Sequence, residues 1–357
     1  MLSISATRRN EIATGLAIVG LALSIFLAGE IATVVLGQAS EPQADEGATP
    51  SQMMALFRQV GGIELAQPGA VSGGVRINSL GFRGPELPMP KPADVVRIAF
   101  AGDSRTFDWL AEDEARTWPA RAARAIGEAM PRCRVDYVNA SGPLYGTREL
   151  LALAPRVVAT DPDVAIVMAG DVAHDSAGIA KRNGLAPDSP RADGLNRLWP
   201  VWNRVERFFG LIFLNTIGLL SDVHTDESDA AWVAGFEARL TELVTRLQSR
   251  APLVVIVQSG VPPEEARRPT GFAALHLPWR SVKRLSELQA SAMRRVAQRT
   301  GAMLVDADAA IPWNRAHFDN ALHLREPGRE KMVAFLGREL GPAAAARLSA
   351  ARSCAAP

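Results

Sequence analysis

Five short apolar runs rich in β-branched residues, at 97–101, 135–138, 164–168, 253–258 and 302–305, are separated by stretches of helical periodicity. Strands that read as continuous apolar runs are buried on both faces, and a helix between consecutive strands is the connection that parallel pairing requires. Helices are expected near 114–130, 147–160, 230–250 and 282–300, and from about 327 to 340. Right-handed crossovers then give a three-layer α/β/α, flavodoxin-like domain around a five-stranded parallel sheet. No internal repeat is present.

The first of these strands ends in Gly102-Asp103-Ser104. In open α/β sheets the carboxyl ends of strands collect ligands and catalytic groups, because the strand holds a side chain rigidly while loops and helix N-termini supply donors around it. Ser104 is therefore the candidate nucleophile. Its rival role is that of a serine capping the helix that follows. Far along the chain, Phe318-Asp319-Asn320-Ala321-Leu322-His323 stands just before a helix opening at Glu326-Pro327-Gly328.

This pair of blocks resembles the GDSL/SGNH hydrolase family, which has its serine in a Gly-Asp-Ser block after the first strand and its histidine in an Asp-x-x-His block near the C-terminus. The segment Asn139-Ala140-Ser141-Gly142 is similar to the family's second block, where a glycine N–H faces the oxyanion. Asn78-Ser79-Leu80-Gly81-Phe82-Arg83-Gly84 resembles a segment preceding the first strand in envelope members. The resemblance covers roughly residues 75 to 342. It implies an SGNH hydrolase fold, a Ser104–His323 acyl-enzyme mechanism, an acyl ester or acylated glycan as substrate, and no cofactor.

Serine needs a base within hydrogen-bond reach and donors aimed at the developing oxyanion. His323 is the expected base, and the backbone N–H groups of Ser104 and Gly142 the expected oxyanion donors. The acid that orients the histidine is out of register: Asn320 stands three residues before His323, where the family has aspartate, and Asp319 stands four before. Asp319 is the candidate through a one-residue bulge, with Asn320 as the alternative orienting residue. The third block reads Met168-Ala169-Gly170-Asp171-Val172-Ala173-His174 and lacks the family's asparagine. There Asp171 would repel an oxyanion, and His174 is the replacement donor. His224, His276 and His317 read as surface or loop residues, and Arg83 as an arginine bonding loop carbonyls. No spacing suggests a metal site.

The 357 residues carry 39 basic and 38 acidic side chains, with no basic block that would mark a nucleic-acid surface. Residues 12–29 contain no charge, and the apolar character resumes after Glu30, so 12–37 is long enough to span a bilayer. Arg8 and Arg9 precede this segment and acids follow it, which places residues 1–11 in the cytoplasm and the body outside, on a single-pass inner-membrane anchor. A cleaved signal peptide is the competing reading. Residues 38–74 read as a linker, 75–342 as the domain, 176–229 as an insertion holding Trp199, Trp202 and a thirteen-residue apolar run, and 343–357 as a small-residue tail. The loop 260–280, which carries four prolines, is expected to border the cleft. Cys133 and Cys354 are the only cysteines, and they either pair or are unrelated thiols.

These features point to a membrane-anchored esterase or O-acyltransferase outside the cytoplasm, acting on an acylated envelope molecule such as an O-acetylated glycan. The alternative is an inert SGNH domain that binds glycan or partner proteins in an envelope assembly. The full-length chain is expected to fractionate with membranes and resist carbonate extraction, whereas a chain beginning at Gln52 stays soluble. A natural protein found soluble, with its N-terminus near Ser40, would show that the segment is cleaved.

Overall fold

The computed structural model describes residues 50–111, 113–143, 145–172, 229–259, 279–314, 316–319, 322–350 and 354. The expected anchor at 12–37, most of the insertion, most of the 260–280 loop, His174 and Asn320 lie outside them. No helix among the described residues is long and apolar enough to cross a membrane.

The described chain opens with α1 (Pro50–Met54) and two hairpins, β1 (Phe57–Val60) with β2 (Ile63–Ala66) and β3 (Val71–Ser72) with β4 (Val75–Arg76). Each hairpin turns on a glycine pair, Gly61-Gly62 and Gly73-Gly74, all four with positive φ. Positive φ at both central residues is what the tight hairpin turn demands and what glycine supplies without strain. Leu56 and Phe57 are buried in the main core. The linker expected through residue 74 is therefore folded from Pro50 onward, because the lead-in carries apolar side chains that the sheet's helices cover.

The central sheet comprises β5 (Val95–Gly102), β6 (Arg134–Ser141), β7 (Val164–Met168), β8 (Leu253–Gln258) and β9 (Met303–Asp306), all parallel, in the order β6-β5-β7-β8-β9. After β5 come the single-turn α2 (Ser104–Phe107) and α3 (Trp118–Gly127). The remaining helices are α4 (Thr147–Ala159), α5 (Asp229–Gln248), α6 (Trp279–Thr300) and α7 (Glu326–Leu348). One core cluster joins one sheet face to α4, α5 and α6, and a second joins the other face to α3 and α7. This is the expected three-layer α/β fold. Chain order reverses between β6 and β7 around β5, so the Gly102-Asp103-Ser104 corner emerges where α/β sheets open a crevice.

Buried polar side chains hold the register at the opposite end of β5. Arg97 is fully buried and meets Asp136, its neighbour on β6, through a two-pronged contact of 2.8 and 2.7 Å. The guanidinium also donates to the carbonyls of Thr160 (2.7 Å) and Pro88 (3.0 Å), while Asp163, just before β7, accepts the Arg97 backbone N–H at 2.8 Å. A buried guanidinium requires such a set of acceptors, and a one-residue slip of β6 would strand it.

Helix α7 runs to Leu348, beyond the residue 340 at which a stop was expected, and the alanines after Pro342 belong to it. Its reason is close packing on α3. A Cβ placed on Gly337 would lie 2.9 Å from the Ala125 Cβ, and one on Gly341 would lie 3.3 Å from the Ala129 Cβ. Small residues on both helices let the axes approach, and Ala344 and Leu348 are fully buried as a result. Beyond the helix, Cys354 is disulfide-bonded to Cys133 with Cα atoms 5.0 Å apart, tying the C-terminal segment to the start of β6.

The bridge closes a sequence separation of 221 residues. Replacing Cys354→Ser should lower unfolding stability by about 2–4 kcal/mol, read as an earlier urea midpoint. An unchanged midpoint would show that the bridge constrains nothing.

Candidate active site

The site is built on the corner after β5. A Cβ on Gly102 would sit 2.2 Å from Thr106 Oγ1 and 2.8 Å from the Met168 carbonyl oxygen, so only glycine admits the turn. Asp103 then caps α2, its carboxylate accepting the Arg105 N–H at 2.9 Å. Ser104 is the first residue of that helix, so its own N–H belongs to the unsatisfied set at a helix start and has no protein acceptor among the described residues. The serine is thus not the cap: aspartate fills that role and frees the hydroxyl.

The hydroxyl faces His323. Ser104 Oγ and His323 Nε2 are 2.9 Å apart across a sequence separation of 219, and both side chains are partly exposed. His323 rides on a narrow loop closed by an antiparallel bridge between Phe318 and Leu324, by the Asp319 N–H on the His323 carbonyl (2.9 Å) and by the Arg325 N–H on the His317 carbonyl (2.8 Å). Phe318 stacks on Trp313 at 3.9 Å between ring centroids, which anchors the loop's base.

Burial pushes the His323 imidazole down to about 4, with Asp103 opposing the shift and Arg105 adding to it. Trp109 meets the imidazole edge-on with ring centroids 5.5 Å apart. The sequence reading did not find Trp109, because its approach depends on the left-handed Asp108 (φ 57°) that turns the chain back after α2. It also missed Arg105, whose buried guanidinium pairs with Asp103 and donates to Ser259 Oγ (2.9 Å) past the end of β8.

The other expected residues fall elsewhere. The Asp319 carboxylate pairs with Arg325 at 2.8 Å and is 39% exposed, with no side-chain hydrogen bond to His323. Asn320 and His174 lie outside the described residues. The Gly142 N–H donates to the Gly102 carbonyl (3.3 Å), continuing the ladder between β5 and β6 instead of pointing into the crevice. Asp171 turns away from an oxyanion: it accepts the Thr147 N–H (2.9 Å) and hydroxyl (2.7 Å) at the start of α4, with Arg239 3.4 Å away. A carboxylate there stabilises the N-terminus of α4. No metal-holding cluster of His, Cys, Asp and Glu exists among the described residues.

Ser104→Ala and His323→Ala should each remove at least about 10³-fold of any esterase rate while leaving the melting temperature within a few degrees of wild type, because both groups sit at the open sheet edge. A collapse of the fold in both would argue against the site. Asp319→Ala should cost less than about tenfold, since its carboxylate serves Arg325. With the imidazole held near 4, the neutral base persists well below the ordinary histidine range, so the acid limb of kcat/KM should lie nearer pH 4 than 6.5. An acid limb at 6.5 would contradict the downward shift of the imidazole.

The profile of the GDSL-like Lipase/Acylhydrolase family matches residues 100–331, which contain both Ser104 and His323. Similar solved structures include LAE5, an alpha/beta hydrolase enzyme from the metagenome of Lake Arreo, Spain, at 16% identity over 69% of this chain and 96% of its own, with a TM-score of 0.44. Another is Axe2, an acetylxylan esterase from Geobacillus stearothermophilus, at 18% identity over 69% of this chain and 94% of its own, with a TM-score of 0.43. No curated protein sequence matches the chain. With well over half of its length under the family profile, and its serine and histidine in contact at the carboxyl edge of the sheet, the chain belongs to the GDSL-like lipase/acylhydrolase family.

Proposed function

We propose that this protein is a membrane-anchored serine esterase or O-acyltransferase, with its catalytic domain outside the cytoplasm, acting on an acylated cell-envelope molecule such as an O-acetylated glycan. The observation that carries the chemistry is the 2.9 Å contact between Ser104 Oγ and His323 Nε2. In this mechanism Ser104 Oγ attacks the acyl carbonyl while His323 Nε2 takes its proton. The Ser104 N–H, at the positive end of α2, donates to the developing oxyanion. The alcohol leaves with the proton from His323, and water or a second hydroxyl then resolves the acyl-enzyme. Hydrolysis and transfer differ only in that last acceptor.

The location rests on the uncharged run at 12–29 with Arg8 and Arg9 before it, and the Cys133–Cys354 disulfide suits an oxidising compartment. The partners of this reading are the acyl ester or acylated glycan and the membrane; no nucleic acid takes part. One observation favours a second reading, an inert domain that binds glycan or envelope proteins. The Gly142 N–H is engaged by Gly102, and the third block has no asparagine, so the Ser104 N–H is the one oxyanion donor identified among the described residues. Loss of a single such donor costs about 10²–10³ in rate.

Incubation of the protein with p-nitrophenyl acetate and with an O-acetylated glycan decides between them. Acetate release that depends on Ser104 supports the enzyme, and acetate moved to an added acceptor hydroxyl marks the transferase. A folded protein that releases no acetate from either compound yet retains the glycan supports the binding reading.

A further inference from the structure

A helix of four residues cannot hold itself. The Ser104–Phe107 turn is held by backbone bonds at its two ends, the Phe107 N–H on the Asp103 carbonyl at 2.9 Å and the Asp108 N–H on the Ser104 carbonyl at 3.0 Å, and the carbonyls of residues 105, 106 and 107 take side-chain donors. Each finds a side chain from a different part of the chain. The Trp118 indole N–H donates to the Arg105 carbonyl at 2.7 Å, Asn139 Nδ2 to the Thr106 carbonyl at 3.1 Å, and Arg83 Nη1 to the Phe107 carbonyl at 2.8 Å.

Arg83 reaches furthest. Its Nη1 also donates to the Asp108 carbonyl at 2.9 Å, its Nη2 donates to the Ala111 carbonyl, and its Nε donates to Glu114 at 3.1 Å. The guanidinium lies 5.0 Å from the centroid of the Phe107 ring, and the side chain is fully buried. The Arg83 backbone N–H bonds the Asn139 carbonyl on β6 at 3.2 Å, so the same two residues that grip the turn are fixed to each other and to the sheet. A buried arginine that makes three hydrogen bonds to the carbonyls at and after the exit of a four-residue helix, with a fourth to the Glu114 carboxylate, fixes where that helix ends.

We propose that Arg83, together with Trp118 and Asn139, is a positioning residue for the nucleophile. By taking the carbonyls of the turn it holds Ser104 Oγ in register with His323 Nε2. The planar fork of arginine is needed because its donors diverge toward Phe107, Asp108 and Ala111, and a lysine ammonium in the same space is a single point. Arg83 touches neither substrate nor the reacting atoms. Its effect is on the alignment of the attacking oxygen, so it acts on the chemical step rather than on substrate affinity.

This inference rests on the esterase reading for its kinetic arm and on the structure alone for its spectroscopic arm. In the full chain, Arg83→Lys should lower kcat on p-nitrophenyl acetate about 10- to 100-fold with KM within about twofold, at unchanged circular dichroism. In parallel, NMR of histidine-labelled protein, with the ring assigned by comparison with His323→Ala, should show the His323 titration moving up toward the ordinary histidine range as the loosened turn lets water to the ring. A folded Arg83→Lys protein with wild-type kcat and an unmoved His323 titration overturns the proposal. If wild type shows no turnover, the enzyme reading fails, and the NMR titration alone then decides the positioning claim. Should Arg83→Lys not fold, Trp118→Phe removes a single donor while keeping a ring against Phe100. A several-fold loss of kcat at constant KM, or an upward His323 shift, supports the clamp, and neither change overturns it.

Discussion

The turn from strand to helix at Gly102-Asp103-Ser104 is the constraint on which the rest of the site depends. The chain leaves a strand with all eight residues buried and enters a helix within two residues, and the space for this exists only because Gly102 lacks a side chain. Asp103 then spends its carboxylate on capping, so the Ser104 hydroxyl is left to meet His323 Nε2, and its N–H has no protein acceptor among the described residues. Buried arginines surround this corner: Arg105 on the capping carboxylate, Arg83 on the carbonyls beyond the turn, and Arg329 on Asp108 at 2.9 Å. Buried charge is costly unless it is paired and hydrogen-bonded, and here each guanidinium meets a carboxylate or a row of carbonyls.

The fold was legible where burial was uniform. Residues 164–168 and 253–257 are apolar throughout, and the strands 164–168 and 253–258 have the expected ends. Strand β6 was read short, because Asn139 and Ser141 look like loop residues; in the folded chain Asn139 serves as an interior donor to the nucleophile turn. The alanine run after Pro342 was read as a tail, since its low hydrophobicity hides what matters there, the smallness that lets α7 press on α3. The glycine pairs at 61–62 and 73–74 were visible hairpin signals within a segment taken as linker.

The Ser104–His323 pair was legible from two short blocks whose order and spacing match a known family. Its surroundings were not. Trp109 reaches the imidazole only through the left-handed Asp108, Arg105 meets Ser259 across 154 residues, and Gly142 closes a ladder where an oxyanion donor was expected. Contacts of this kind are set by how distant segments meet at one sheet edge, and no local pattern carries them.

The central claim is that Ser104, activated by His323, is the nucleophile of this domain. Treating the folded protein with a fluorophosphonate and mapping the adduct by peptide mass spectrometry tests it most directly. The account predicts a single modification on Ser104, strongly diminished in His323→Ala. A folded protein that stays unmodified, or that carries its adduct on another residue, would contradict it.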